Sequence, residues 1–121
     1  MRNKKKKDDD LLEIGLIGLG RWGKNMVATF QNIPCLKLKC VASKNPDAKE
    51  LIPKDCKIYV DWRDMITFQE LDGVIICTPP KTHLEIAQYF IKASVPILIE
   101  KPLTLNLNEA KSIYKLAKYY N

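Results

Sequence analysis

Four of the five glycines in the chain lie between Gly15 and Gly23, and the end of that stretch reads Gly18-Leu19-Gly20-Arg21-Trp22-Gly23. In a G-x-G-x-x-G turn the first glycine permits a tight turn, and the second lets backbone approach a pyrophosphate. The third allows a helix to pack closely on a strand. A helix starting there also offers free N–H groups and the positive end of its dipole to a phosphate. Gly18, Gly20, Arg21, Trp22 and Gly23 are therefore candidate dinucleotide-binding positions, the plainer alternative being a glycine turn that only packs. About 20 residues further on, such sites place an Asp or Glu on the ribose 2′-hydroxyl of NAD. Here the residues are Ser43-Lys44-Asn45, and no carboxylate follows until Asp47, beyond Pro46. A hydroxyl followed by a cation suits a 2′-phosphate, so Ser43 and Lys44 join the candidates. Of NAD and NADP, NADP is the expected cofactor. The alternative is a polar loop with Lys44 in solvent.

Two more polar segments follow apolar runs: Thr78-Pro79-Pro80-Lys81-Thr82-His83 after Val74–Cys77, and Glu100-Lys101-Pro102 after Ile97-Leu98-Ile99. Carboxyl ends of parallel strands are where open α/β sheets bind ligands. Lys101 has the chemistry of a proton donor or of a clamp on a substrate oxygen, with Glu100 beside it to position it. Taken alone, Lys101 also fits a surface charge, and His83 a helix-start residue with a satisfied ring. The four cysteines form no C-x-x-C pair and His83 is the single histidine, so no metal site is expected. Cys77 reads as a small core residue, and free thiols fit a reducing cytoplasm.

The elements that must hold these residues follow from period and punctuation. Apolar runs predict strands over Glu13–Gly18, Leu36–Ala42, Ile58–Val60, Val74–Cys77 and Ile97–Ile99. A helix over Gly23–Gln31 carries Met26, Val27 and Phe30 on one face. Asp61 and Asp64 open a brief helical turn around Trp62. Thr82 with Glu85 reads as a capping box for a helix with Ala87, Phe90 and Ile91 as its apolar stripe. Asn106 with Glu109 starts a last helix, expected to turn Ala110, Ile113, Tyr114 and Ala117 inward and Lys111, Lys115 and Lys118 to water. Apolar strands separated by helices imply an α/β fold: a doubly wound, Rossmann-like parallel sheet of about five strands with helices on both faces.

With 121 residues, 46% hydrophobic and 28% charged, the chain can bury one real core, and wholesale disorder is excluded. No apolar run approaches the roughly 20 residues needed to span a bilayer. The net charge of +6 includes Arg2 and Lys4–Lys7, followed at once by Asp8–Asp10. Residues 1–12 are expected to form a disordered, solvated arm. No aromatic interleaves the basic cluster, so neither nucleic acid nor membrane is an expected partner. The expected location is cytoplasmic.

Taken together, Gly15–Gly23, Asp72–Pro79, His83 and Glu100-Lys101-Pro102 resemble the Gfo/Idh/MocA oxidoreductases from about Ile14 to the last residue. The resemblance implies an NAD(P)-dependent dehydrogenase acting on sugars, sugar acids, cyclitols and related alcohols. It implies that Lys101 lies near the nicotinamide and the reacting carbon, and that Thr78, Pro79 and His83 border the cofactor. Members of that family continue into a second domain that supplies the substrate pocket. Residues 13–121 are thus expected to form the dinucleotide-binding domain alone. Such a chain should be inactive by itself, with uncovered apolar surface that favours self-association. The competing expectation is a non-catalytic nucleotide-binding or sensing module, like the single-domain CoA-binding proteins on the same fold.

Overall fold

The computed structural model describes residues 11–120, so the first ten residues of the expected charged arm lie outside the described residues. Five strands, β1 (Leu12–Ile17), β2 (Leu36–Ala42), β3 (Lys57–Tyr59), β4 (Gly73–Ile76) and β5 (Ile97–Ile99), form one sheet in the order β3-β2-β1-β4-β5. Every pairing is parallel, as the apolar strands predict. The chain winds from β1 out to β3, then crosses back to β4 on the other side of β1. That reversal leaves a crevice at the carboxyl ends of β1 and β4.

Helices cover both faces. α1 (Arg21–Phe30) packs on one, and α3 (Arg63–Phe68) and α4 (His83–Lys92) on the other, with α5 (Leu107–Tyr119) against α4. Successive strand residues serve opposite faces. Leu16, Val41 and Ile75 join Val27 and Phe30 of α1, while Ile17, Cys40, Ala42, Val74 and Ile76 join Met65, Ile86 and Phe90. Both cores are closed, so the alternation is hydrophobic on each side. A four-residue helix α2 (Ala48–Leu51) precedes β3; it is too short to leave a periodic signal.

Two expectations about helices need correcting. Thr82 and Glu85 do not form a capping box. Pro80 starts a 3-10 turn over Pro80–Thr82, so the chain is already helical at Thr82 (φ −97°, ψ −11°). The Thr82 hydroxyl points back to the Thr78 hydroxyl (2.6 Å) and the Pro79 carbonyl (2.7 Å), and Glu85 accepts from Arg63 Nη2 at 2.6 Å. In α5, Tyr114 is 66% exposed and Ala117 is exposed too. This helix touches little but α4, so its buried line narrows to Ile113, flanked by Leu116. The Asn106 cap forms as the sequence predicts, accepting from the Glu109 N–H at 2.9 Å. At the other end of α4, Ser94 takes a left-handed conformation (φ 57°), and the Val95 N–H donates to the Phe90 carbonyl, which turns the chain towards β5.

The thiols report on this packing. Burial pushes the Cys40 and Cys56 thiols up to about 12, and burial followed by the Glu100 charge pushes half-buried Cys77 to about 11. A thiol raised in the folded state stays protonated where the unfolded chain has ionised. Its contribution to stability is therefore full below the unfolded value near 9 and falls as pH rises towards 12. At pH 10 the expected loss is on the order of 1 kcal/mol per buried thiol. Urea midpoints at pH 7 and pH 10 should differ less in Cys40→Ala than in the parent chain. Equal differences would contradict the assignment.

Candidate functional site

The glycine turn sits where β1 gives way to α1. Gly18 has φ +96°, donates to the Ala42 carbonyl at 2.9 Å, and lies so close to the exit of β4 that a Cβ there would be 2.9 Å from the Cys77 carbonyl oxygen. Gly23 is buried, and a Cβ on it would run into the Gly18 carbonyl. These two glycines make the turn tight. Gly20 differs: it is the N-cap of α1, with extended backbone, and a Cβ there would meet nothing within 4 Å. No side chain caps α1 and no acidic residue occupies its first turn. A ten-residue helix thus presents its N-terminal N–H groups uncovered, the condition for holding an anion. Arg21 and Trp22 are exposed at this turn, Trp22 by 52%.

A groove of about 330 Å³ crosses the carboxyl ends of the neighbouring strands. Its walls come from Gly18 after β1, Ala42 to Lys44 at the end of β2, Val60 after β3, and Thr78 and Pro79 after β4. Backbone bonds knit these exits together: Ser43 N–H to Tyr59 O at 2.9 Å, Cys77 N–H to Ile17 O at 2.8 Å and Glu100 N–H to Ile76 O at 2.9 Å. The Ser43 hydroxyl accepts from the Asn45 N–H at 3.0 Å and keeps its own proton to donate. Asn45 Nδ2 donates to the Leu19 carbonyl at 3.3 Å, which ties the turn after β2 to the glycine turn.

The far wall contains residues that pattern reading did not single out as site residues. Val60, Trp62, Glu85 and Ile86 face the groove. Trp62 packs against Tyr89 (ring centroids 5.0 Å apart), and the Arg63 guanidinium lies 4.1 Å from a Trp62 ring centroid. Arg63 also bonds Glu85, which tempers the one acidic side chain in the wall. Arg63 holds the Asp61 carboxyl below its ordinary value, first through its backbone N–H; Lys44, named above, adds a smaller pull. Val60 and Trp62 had a legible signal, since they follow a strand at the ligand-binding edge. Glu85 had none, because its partner Arg63 lies 22 residues away.

The structure brings Gly18, Ser43, Lys44, Thr78 and Pro79 around one groove, with Gly20–Gly23 at the adjacent helix start. His83 stands elsewhere. It is fully buried, with Nε2 2.8 Å from the Thr78 carbonyl and Nδ1 3.0 Å from both the Pro102 and Leu103 carbonyls. Glu100 and Lys101 follow β5, next to the exit of β4; Lys101 is exposed and makes no ion pair among the described residues.

A parallel sheet in this order, with a glycine turn at its first crossover and a groove at its carboxyl edge, defines a Rossmann-like nucleotide-binding domain. The chain belongs to the Gfo/Idh/MocA oxidoreductase family: residues 12–121 match the family described as an oxidoreductase family with an NAD-binding Rossmann fold. Rhizopine catabolism protein MocA of Rhizobium meliloti is 32% identical over 108 residues, which cover 88% of this chain and 34% of that protein. Inositol 2-dehydrogenase of Rhizobium meliloti (strain 1021) is 31% identical over 106 residues, 87% of this chain and 32% of that protein. The crystal structure of scyllo-inositol dehydrogenase from Lactobacillus casei, with bound NAD(H) and scyllo-inositol, superposes with a TM-score of 0.83 at 25% identity. It covers 92% of this chain and 34% of that one. The chain spans about a third of the length of these relatives.

Proposed function

We propose that these residues bind a nicotinamide dinucleotide for a dehydrogenase acting on inositols, sugars or related polyols. The observation that carries this reading is the uncapped start of α1, open at Gly20, beside a groove crossing the exits of four strands. The cradle fits a pyrophosphate, because only Gly20 leaves room for one against the helix N–H groups. The bound nicotinamide supplies hydride exchange with the alcohol carbon. The protein's part is to orient and to stabilise charge. Backbone N–H groups of Gly20–Gly23 hold phosphate, Thr78 and Pro79 wall the groove after β4, and Lys101 offers a proton or a positive charge to a substrate oxygen, with Glu100 beside it. The substrate itself would be held by the two thirds of the relatives' length that this chain does not match.

The cofactor in this reading is NADP(H). Ser43 can donate to a 2′-phosphate and Lys44 supplies a cation on the groove wall. Charge-assisted hydrogen bonds are worth ~1.5–3 kcal/mol, which corresponds to a preference of about ten- to a hundredfold. Lysine lacks the planar fork of arginine, which favours the lower end. Calorimetric titration with NADPH, NADH and CoA at low and high salt tests it. NADPH should bind tightest, and Lys44→Ala should remove most of its advantage over NADH. Tighter NADH binding would overturn the NADP assignment, and tighter CoA binding would favour a non-catalytic nucleotide-binding module.

A further inference from the structure

We propose that His83 is a positioning residue: its buried ring ties the segment carrying Lys101 to the start of α4, beside the turn after β4, and so sets where Lys101 stands. The proposal rests on the reading of Lys101 given above. Three contacts carry it. The ring, fully buried, reaches Thr78 O on one side (2.8 Å) and Pro102 O and Leu103 O on the other (both 3.0 Å). These are the exits of two adjacent parallel strands, β4 and β5. One exit lines the groove at Thr78, and the other carries Glu100 and Lys101.

The tie matters because little else holds that segment. The last sheet bond on this side is Glu100 N–H to Ile76 O. From residue 101 to 105, the only hydrogen bonds to the rest of the fold among the described residues are the two at His83 Nδ1; Thr104 bonds locally, to the Asn106 carbonyl. Carbonyl oxygens only accept and a neutral imidazole carries a single N–H, so the tie to the Lys101 segment requires that proton on Nδ1, facing the Pro102 and Leu103 carbonyls. An apolar side chain of similar size would fill the space and remove the ring's hydrogen bond to these carbonyls.

Asparagine and glutamine separate the two sides of the ring. The asparagine amide nitrogen stands near the place of Nδ1, and that of glutamine near the place of Nε2. The test is the amide spectrum of the ¹⁵N-labelled 121-residue chain and of His83→Asn and His83→Gln, without and with NADPH. His83→Asn should retain the parent shifts of Lys101 and Leu103, whereas His83→Gln should displace both and leave Gly18–Gly23 unmoved. With NADPH, the Lys101 amide should respond in the parent chain and in His83→Asn only. Equal displacement in both variants, or none in His83→Gln, would show that the ring only packs. If NADPH binds none of the three, the cofactor reading falls, while the shifts of the free chains still decide the tie. Should either variant fail to fold, the parent chain suffices. A slowly exchanging Nδ1 proton of His83 coupled to the Pro102 or Leu103 carbonyl supports the tie, and a ring proton absent or held on Nε2 overturns it.

Discussion

Replacing Gly20 by valine is expected to leave the chain folded and to weaken NADPH binding by about a hundredfold or more. The backbone at Gly20 is extended (φ −79°, ψ −159°), which valine adopts readily, and an added Cβ meets nothing within 4 Å. The cost to the helix start is that of exchanging one uncharged N-cap for a poorer one, on the order of 1 kcal/mol. The same open space is what the proposed pyrophosphate would occupy. A branched side chain there would hold the phosphate away from the α1 N–H groups. Losing two charge-assisted hydrogen bonds removes at least ~3 kcal/mol, or about two decades in dissociation constant. Calorimetry with NADPH, paired with a thermal melt, measures both effects. Unchanged affinity in the folded variant would mean that the turn only packs.

Gly23→Ala should do the reverse, damaging the fold first. A Cβ on Gly23 would press into the Gly18 carbonyl, with the Gly18 carbonyl carbon at 2.9 Å. Backbone has no rotamer with which to yield. Gly18 in turn is held by its left-handed φ of +96° and by its N–H bond to the Ala42 carbonyl, so α1 must lift from β1. Overpacking of this kind costs ~1–3 kcal/mol, and in a domain of this size each kcal/mol lowers the melting temperature by about 4–8 °C. The expected result is a melt lowered by roughly 10 °C, with weaker NADPH binding as a consequence of the shifted helix. A variant melting with the parent chain would show that the contact is not tight. The two substitutions, three residues apart in one motif, thus separate the space for a ligand from the space for the fold.

Much of this architecture was legible before any coordinates. Each of the five predicted strands overlaps its observed counterpart, with Leu36–Ala42 and Ile97–Ile99 matching end to end. The reason is physical. Strands of a sheet covered on both faces are rich in apolar residues, and charge or proline marks an end, as Pro96 and Glu100 do for Ile97–Ile99. Helix starts were read less well. Asn106 caps α5 because nothing upstream competes for the role, whereas Thr82 lost it to Pro80, which begins the helical path earlier. The apolar face of α5 is wider in the sequence than the surface it buries, because periodicity reports which side is apolar and not how much of it a neighbour covers. Tyr114 and Ala117 therefore remain in water.

The site divides along the same line. Its glycine turn is local: Gly18, Gly20 and Gly23 act within one strand–turn–helix unit, and their spacing carries their roles. The position of Ser43 and Lys44 follows from the end of β2, one strand away. The sequence by itself therefore determined the fold class, the edge of the sheet that carries the groove, and the residues that turn the chain there. Tertiary structure alone decided who shares the groove and who supports it. Trp62 and Glu85 reach the wall because β3 ends beside β2 and because α4 lies over that face. His83, which the family resemblance sets at the border of the cofactor, is enclosed between the exits of β4 and β5, its ring nitrogens facing carbonyls 19 and 20 residues ahead of it and 5 behind. Contacts of that kind depend on sheet order and helix placement, which arise only when distant segments pack, and no local pattern of residue types encodes them.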